Sequence, residues 1–232
     1  MAAIKKTTYK DQVIDHIYDL VLDGKYVPGD QLKESLLATE MGISRAPVRE
    51  ALKELIANGI VEYKPQVGNF VASLSPKQII DAYTTRGVLE GFAIMATHTK
   101  FEEDDIEELE LLVKKMMKHA KKGSRKQVVQ VGGEFHDLLT RNNKNVQLAE
   151  YTERLSLKLH VLFNKHWSTL YSPEEIGHRH MRIVNAIAGG DPAAIEQTVR
   201  EHYIETGNKI AEFYRESNPN ERNRDKQGCG KG

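Results

Sequence analysis

Two arginines, Arg45 and Arg49, lie four residues apart in the stretch GISRAPVREAL, just after a glycine. Four residues are about one helical turn, so a helix would place both guanidinium groups on one side. A guanidinium group can bind the O6 and N7 acceptors of guanine together, or it can hold a phosphate. The alternative is that both side chains are solvated or pair with Glu50 and Glu54. The elements around the arginines must decide between these interpretations.

The summed charge does not indicate a nucleic-acid partner. The 232 residues include 33 Lys/Arg and 33 Asp/Glu, and residues 1–75 hold nine basic against ten acidic side chains. A nucleic-acid site must therefore depend on where the charges lie.

The composition also excludes several classes of protein. No apolar run approaches the roughly 18–20 residues that span a bilayer, and the first residues lack the apolar segment of a signal peptide. One cysteine, Cys229, cannot form a disulfide framework or a thiolate metal cluster. We therefore expect a soluble, cytoplasmic protein with no membrane partner, and we assign no role to Cys229 or Trp167.

Hydrophobic spacing predicts three helices in the first part of the chain. Residues 9–23 and residues 32–42 each repeat apolar side chains at helical spacing and end at a glycine. Ser44 is placed to cap a third helix, with Pro47 in its first turn. This helix has an apolar stripe that consists of Val48, Ala51, Leu52, Leu55 and Ile56. The two arginines lie off that stripe and are expected to be exposed.

After the third helix, the spacing of apolar residues changes from the helical period to the alternation that is typical of strands. IVEY (60–63) and NFVAS (69–73) predict two short strands of a hairpin around KPQVG. Helix, helix-turn-helix and hairpin together predict a winged helix-turn-helix over residues 1–74. In a helix-turn-helix, the N-terminal residues of the second helix face the base edges in the major groove, and here these are Arg45 and Arg49.

Other residues of this unit are candidates for contacts to the DNA backbone. Ser44 and the N–H groups that follow it can hold a phosphate oxygen, because a helix start binds anions, and Ser35 could do the same. Gly68, at the expected hairpin tip, would let the wing approach the backbone, with Lys64 and Gln66 nearby.

The remainder of the chain is predicted to be all helical. SLSPKQ (73–78) is typical of a short linker, and residues 75–216 contain six long helical patterns, which predicts an antiparallel bundle. Residues 217–232 are polar and glycine-rich and are expected to be disordered. The predicted fold class is thus mainly α, with a small β-hairpin wing in the first domain.

The first domain resembles a known family. PGDQLKESLLATEMGISRAPVREALKELIANGIVEYKPQVGNFV resembles the DNA-binding domain of GntR-type bacterial transcriptional regulators across nearly all of residues 9–74. The resemblance implies a homodimer that binds a palindromic operator, with Arg45 and Arg49 as base or phosphate contacts.

The second domain resembles, more loosely, the ligand-sensing FCD domain of the FadR-like branch of that family. The matching stretches are RGVLEGFAIMA, EFH, NNKNVQL, HMRIVNAIAGGD and REHY. Many members of this branch hold a divalent metal with one aspartate and three histidines. His136, His180 and His202 match the histidines, whereas Gly132 stands where the aspartate is expected, four residues before the first histidine.

The glycine leaves two interpretations of this site open. Three imidazoles could still bind Zn²⁺ or Ni²⁺ with reduced affinity, or a metal-free pocket that is enlarged at Gly132 could hold a bulkier acid. Gly132 and Gly133 are costly inside a helix, by about 1 kcal/mol each, so a kink or a later helix start are further possibilities. Arg86 matches a pocket-facing position and could bind an effector carboxylate, or it could pair with Glu90 at i+4.

The remaining histidines of the helical domain, His98, His119, His160, His166 and His178, match no ligand position, although packing could bring His160 to the site. The expected function is therefore a DNA-binding regulator that is controlled by a small organic acid. A metal-dependent hydrolase with Glu134 as base is the competing class, but Glu134 is two residues from His136 and points to a different helix face.

Overall fold

The computed structural model describes residues 7–217, except for the side chains of residues 157, 160–169 and 217. Cys229 and the expected disordered tail beyond Ser217 lie outside the described residues, and so do the side chains of His160, His166 and Trp167. The chain divides into two compact units, Met1–Ser73 and Leu74–Gly232.

The described part of the first unit contains three helices and three short strands. In chain order these are α1 (Tyr9–Leu22), β1 (Gln31–Leu32), α2 (Glu34–Met41), α3 (Arg45–Ala57), β2 (Val61–Lys64) and β3 (Gly68–Val71). A reciprocal cap between Thr8 and Asp11 begins α1. Gly42, with φ at 64°, ends α2 in the left-handed conformation that glycine adopts readily. These signals define the helix-turn-helix of α2 and α3.

The core of the first unit follows the predicted stripe of α3. Val48, Ala51, Leu52 and Leu55 are buried, and Ile56 is partly exposed. They pack with buried residues of the other elements: Val13, Ile17, Leu20, Val21, Leu32, Leu37, Ala38, Ile60, Val61 and Val71. Burial of these apolar side chains holds α3 by one face and leaves its other face to solvent.

The wing is a three-stranded antiparallel sheet and not only a hairpin. Its strand order is β1-β3-β2, and Gln31 of β1 lies opposite Phe70 of β3. Strand β1 was not predicted. The second helix was expected to begin at Leu32, but it begins at Glu34 because Leu32 belongs to this strand. Gly68 is not at the hairpin tip: it opens β3 opposite Lys64, and the tip contains Gln66 at φ 63°.

The described part of the second unit contains six α-helices and a short 3₁₀ turn, His98–Lys100. The helices are α4 (Pro76–Thr97), α5 (Glu103–Lys121), α6 (Arg125–Thr140), α7 (Val146–Leu170), α8 (Pro173–Gly189) and α9 (Pro192–Ser217). The predicted fold class, a winged helix-turn-helix followed by a helical domain, is confirmed. Ser75 caps α4, so this helix begins inside the stretch expected as a linker, and α9 ends at Ser217, the first residue of the expected tail.

α6 begins earlier than the glycine pair that was expected to disturb it. The helix is continuous from Arg125 to Thr140, so Gly132 and Gly133 lie in its interior. A later helix start is therefore wrong, and α6 has no break at the glycines. A methyl group at Gly132 would contact only Met116 Sδ, at 3.8 Å. The intact helix α6 therefore leaves unfilled space beside Gly132.

Glycines allow α4 and α9 to pack unusually closely. A Cβ at Gly207 of α9 would lie 2.7 Å from the Cβ of Tyr83, and one at Gly91 of α4 would lie 3.0 Å from the carbonyl oxygen of Glu196. Because ordinary side chains keep packed helices 8–10 Å apart, glycine at these positions permits a shorter separation. This contact brings the functional side chains of α4 and α9 together.

Within the described residues, no helix combines the length and the apolar character that crossing a bilayer requires.

Replacing Gly207 with alanine tests the close contact between α4 and α9. We expect Gly207→Ala to lower the free energy of unfolding by about 1–3 kcal/mol, because the new methyl group overlaps Tyr83 in a packed core. Urea denaturation of the full chain measures the change.

Gly132→Ala is the matched control, since it also replaces a helical glycine but has room for the methyl group. The higher helix propensity of alanine should then raise stability by up to about 1 kcal/mol. Stabilisation by both substitutions would contradict the close packing described above.

Candidate functional site

Arg45 is exposed at the first turn of α3. Among the described residues it forms no ion pair and no side-chain hydrogen bond. Ser44 precedes it as the N-cap residue, and its side chain makes no capping hydrogen bond. A free guanidinium group and a free hydroxyl therefore stand together at a helix N-terminus, which carries a partial positive charge.

Arg49, one turn further along α3, is held by an acid from the neighbouring helix. Its Nη2 lies 3.2 Å from Glu34 Oε2, and its side chain remains 59 % exposed. It does not pair with Glu50 or Glu54, the partners of the alternative interpretation, and Glu54 accepts from Lys10 Nζ at 2.7 Å. Such an exposed pair contributes little stability, so a phosphate or base could replace Glu34 as the partner.

The other candidate DNA contacts are also on the surface of the first unit. Ser35 is exposed in the first turn of α2. Lys64 lies above the ring of Phe70, with its Nζ 4.6 Å from the ring centroid. Gly68 has φ at 126°, and a Cβ there would lie 3.0 Å from Gln31 Nε2, whose amide donates to the Val67 carbonyl oxygen at 2.8 Å. Glycine is therefore needed here for the wing backbone itself.

Three histidines from three helices converge in the second unit. His136 of α6, His180 of α8 and His202 of α9 are all buried, and one ring nitrogen from each lies within 4.8 Å of the others. Phe135 packs its ring edge-on against His136 and His180, which holds both imidazoles in place. Residues that are 44 and 22 positions apart in sequence thus form one cluster.

The hydrogen bonds of the cluster determine which nitrogens are available. His180 Nδ1 donates to the carbonyl oxygen of Ile176 at 2.7 Å, so its Nε2 carries the lone pair. His202 Nδ1 is buried without a hydrogen-bond partner. Burial lowers the pKa of His180 to about 3, and burial beside His180 lowers that of His202 well below its usual value. Both imidazoles are therefore neutral at neutral pH.

A buried carboxylate that sequence reasoning assigned only as a partner of Arg86 completes the arrangement. Glu90 accepts from Arg86 Nε at 2.6 Å, from His136 Nδ1 at 3.0 Å and from the Tyr203 hydroxyl at 2.7 Å. Burial alone would raise its pKa, but the Arg86 guanidinium, His136 and these hydrogen bonds lower the pKa to about 2. The ionised carboxylate orients the His136 ring, and the i+4 ion pair of Arg86 is present.

The histidines line a cavity of about 70 Å³ together with Arg86 and Gly132. The structure therefore brings all five predicted metal and effector residues of this unit to one place. Arg179 also lines the cavity and donates to the carbonyl oxygen of His202 at 2.6 Å and to the Thr206 hydroxyl at 2.8 Å. A cavity needs roughly 10–15 Å³ to hold one water molecule, so this cavity has room for a few small groups.

The remaining histidines of the helical unit with described side chains lie away from the cluster. His98 Nδ1 bonds to the carbonyl oxygen of Met95 at 2.7 Å, and His178 is exposed on α8. His119 Nδ1 is buried without a hydrogen-bond partner but does not join the cluster. Glu134, the base of the hydrolase hypothesis, is exposed and accepts from the Gln130 amide at 3.1 Å.

The cluster fits a divalent metal by the chemistry of its donors. Neutral imidazole is a common ligand of Zn²⁺ and Ni²⁺, and the unsatisfied Nδ1 of His202 is a buried lone pair or N–H without a partner. Nitrogens around one ion lie about 3–4 Å apart, which modest rotation of these rings would achieve. The contact of Glu90 with His136 is the kind of outer hydrogen bond that fixes a metal-binding imidazole.

Two family matches cover most of the chain. Residues 9–71 match the family described as bacterial regulatory proteins, gntR family, and residues 81–205 match the FCD domain.

Full-length relatives are transcriptional regulators. The chain is 28 % identical over 199 residues to a protein of Paenarthrobacter nicotinovorans described as a probable D-xylose utilization operon transcriptional repressor, covering 86 % of this chain and 87 % of that protein. It is 25 % identical over 191 residues to the HTH-type transcriptional repressor RspR of Escherichia coli K12, covering 82 % and 83 %.

A solved structure shares the fold. Escherichia coli McbR/YncC superposes with a TM-score of 0.75 at 21 % identity, covering 89 % of this chain and 99 % of that one.

The matched families and relatives are regulators and not enzymes, which sets aside the hydrolase hypothesis. The winged helix-turn-helix, the helical unit that follows it in sequence and these matches together show that the chain belongs to the GntR family of bacterial transcriptional regulators and carries an FCD domain.

Proposed function

We propose that this regulator binds a palindromic operator as a homodimer through α3, and that a divalent metal and a small organic acid in the histidine cavity control the binding. The observation that carries the control is the convergence of three buried histidines on one cavity. A protein with an operator as its partner works in the cytoplasm, where bacterial DNA is.

The DNA half of the proposal depends on the N-terminal turn of α3. Arg45 has an exposed guanidinium group, and Arg49 is held only by an exposed pair with Glu34. Side chains at this position of a helix-turn-helix face base edges in the major groove. Ser35, Ser44 and Lys64 are proposed as phosphate contacts, with Gly68 keeping the wing close to the backbone. Two copies related by two-fold symmetry would bind two half-sites.

The effector half depends on charge and space in the cavity. His136, His180 and His202 would hold Zn²⁺ or Ni²⁺, which would supply positive charge and open positions for a carboxylate. Arg179 and Arg86 also line the cavity, but each is paired with a glutamate, Glu205 and Glu90, so the metal would supply the net positive charge. Gly132 leaves room where the family pattern has an aspartate, so an incoming carboxylate can supply the missing anion. An acid of this kind can act only by binding the DNA-competent and incompetent forms differently.

Whether the protein represses or activates transcription is proposed from the names of its relatives. Two of them are named as repressors, one of them of a sugar-utilization operon. We propose repression by the operator-bound dimer, with release when the acid binds.

Arg45→Ala tests the DNA contact. We expect specific operator binding to weaken by about 1–3 kcal/mol, roughly 5- to 150-fold, because a guanidinium contact to a base edge or phosphate is lost. Electrophoretic mobility shift or fluorescence anisotropy with DNA from upstream of the gene measures the change at a fixed salt concentration.

Arg125→Ala is the matched control, since it removes an equally exposed arginine from the first turn of α6. It should leave operator affinity within about twofold. Glu34→Gln should preserve or tighten binding, because it releases Arg49 from its acid. Equal affinity of the Arg45 variant and the wild type would contradict the assignment of α3 to the groove.

His180→Ala tests the metal site. We expect one Zn²⁺ per chain in isothermal titration of the untagged, chelator-treated protein, and a loss of at least about 100-fold in affinity in the variant, because one of three ligands is removed. His178→Ala, two residues earlier on the same helix and exposed, should bind as the wild type does. No stoichiometric metal in the wild type would leave a metal-free effector pocket as the function of this cavity.

Gly132→Asp tests whether the missing aspartate explains the space in the cavity. We expect the new carboxylate, one turn before His136, to tighten Zn²⁺ binding at least tenfold, since it adds an anionic ligand and α6 has room for it. Gly132→Asn, of the same size but neutral, should tighten binding less. Identical Zn²⁺ affinity of the two variants would show that position 132 does not face the ion.

A further inference from the structure

A second cavity lies on the far side of the Arg86, Glu90 and His136 network. We name it the polar cavity; it has a volume of about 360 Å³ and is lined by side chains of α4, α6, α7 and the loop between α6 and α7. Arg86 and His136 line both cavities, and the rest of the lining differs. The size falls in the range of small-molecule sites.

The wall of the polar cavity includes a hydroxyl group without a partner. Thr152 of α7 is only 9 % exposed, and its Oγ1 is buried with no hydrogen bond. An unsatisfied buried hydroxyl costs about 1–3 kcal/mol. Thr152 lines the cavity, and rotation about its χ1 would turn this unpartnered hydroxyl toward a molecule bound there.

The other polar groups of the cavity are mostly hydrogen-bond acceptors. The Thr140 hydroxyl donates to the His136 carbonyl oxygen at 3.0 Å, and the Ser156 hydroxyl donates to that of Thr152 at 2.8 Å. Each hydroxyl has thus used its one hydrogen and offers lone pairs to a ligand. A ligand that matches this wall must be rich in donors.

The charged side chains of the polar cavity also favour a ligand that is rich in hydrogen-bond donors. Asp137 of α6 and Glu153 of α7 line it, both are exposed, and neither forms an ion pair among the described residues. The one positive lining side chain, Arg86, is already paired with Glu90. The cavity therefore has an excess of negative charge.

We infer that the polar cavity binds a small molecule that carries an ammonium group. The carboxylates of Asp137 and Glu153 supply the charge, and the oxygens of Thr140, Thr152 and Ser156 accept hydrogen bonds from its N–H groups. An ammonium group has three donors and no acceptor, which complements the two carboxylates and the lone pairs of Thr140 and Ser156. The inference depends on neither the metal nor the DNA contact.

The class of ligand is tested with three probes of the same chain length. 1,4-Diaminobutane, 1,4-butanediol and succinate are titrated into the full chain by isothermal calorimetry at about 0.15 M salt, where attraction to distant surface charges is screened. We expect saturable binding of the diamine at one site per chain, and at least tenfold weaker binding of the diol and of succinate. Absence of saturable diamine binding, or equal binding of the diol, overturns the inference.

Two pairs of substitutions locate the site. Asp137→Asn with Glu153→Gln should weaken diamine binding at least tenfold, because both charge-assisted hydrogen bonds are lost. Glu134→Gln with Glu150→Gln is the matched control: it removes one exposed acid from each of the same two helices, three residues earlier, outside the cavity lining. The control should bind within about twofold of the wild type. Equal loss in both pairs would show a general surface attraction and would overturn the site.

Thr152→Val separates a binding role from a structural one. The substitution keeps the shape of the side chain and removes the unpartnered hydroxyl, so the free protein should be as stable as the wild type or more so. Diamine affinity should nevertheless fall severalfold. Unchanged affinity in this folded variant would overturn the placement of the ammonium group in the polar cavity.

Discussion

One buried carboxylate, that of Glu90, determines the arrangement of the helical unit. It has no exposure to solvent, and its charge is balanced by Arg86 on the same helix, one turn away. Its second oxygen accepts from His136 of α6 and from Tyr203 of α9. A buried charge is tolerated only when its partners are in place, so this group fixes three helices relative to one another. Removing any one partner would leave another polar group buried and unsatisfied.

The two cavities follow from this constraint. On one side of the network, His136 faces His180 and His202 around a small cavity lined by Arg86 and Arg179; on the other side lies the acceptor-rich polar cavity. The glycine contacts between α4 and α9 make the network possible, because they let Glu90 of α4 reach Tyr203 of α9. One set of buried hydrogen bonds thus separates the proposed effector site from the proposed ammonium site.

Sequence reasoning could find what local spacing or a family pattern encodes. The α3 stripe, the glycine that ends α2 and the three histidines belong to this class. It could not find β1, because two residues have no measurable period, or the partner of Arg49, because Glu34 lies fifteen residues away on another helix. Glu90 was identified only as a local partner of Arg86, since its contacts with His136 and Tyr203 span 46 and 113 residues. Tyr203 was overlooked beside His202 because helix neighbours point about 100° apart.

The central claim is that the histidine cavity and the operator site are energetically linked. The most direct measurement is the operator dissociation constant of the full chain with saturating Zn²⁺ and with chelator, for the wild type and for His202→Ala. Linkage predicts that Zn²⁺ and chelator give operator dissociation constants at least tenfold apart for the wild type, which is about 1.4 kcal/mol of coupling. It predicts equal dissociation constants in the two conditions for His202→Ala. The same dissociation constant in all four conditions would contradict the account.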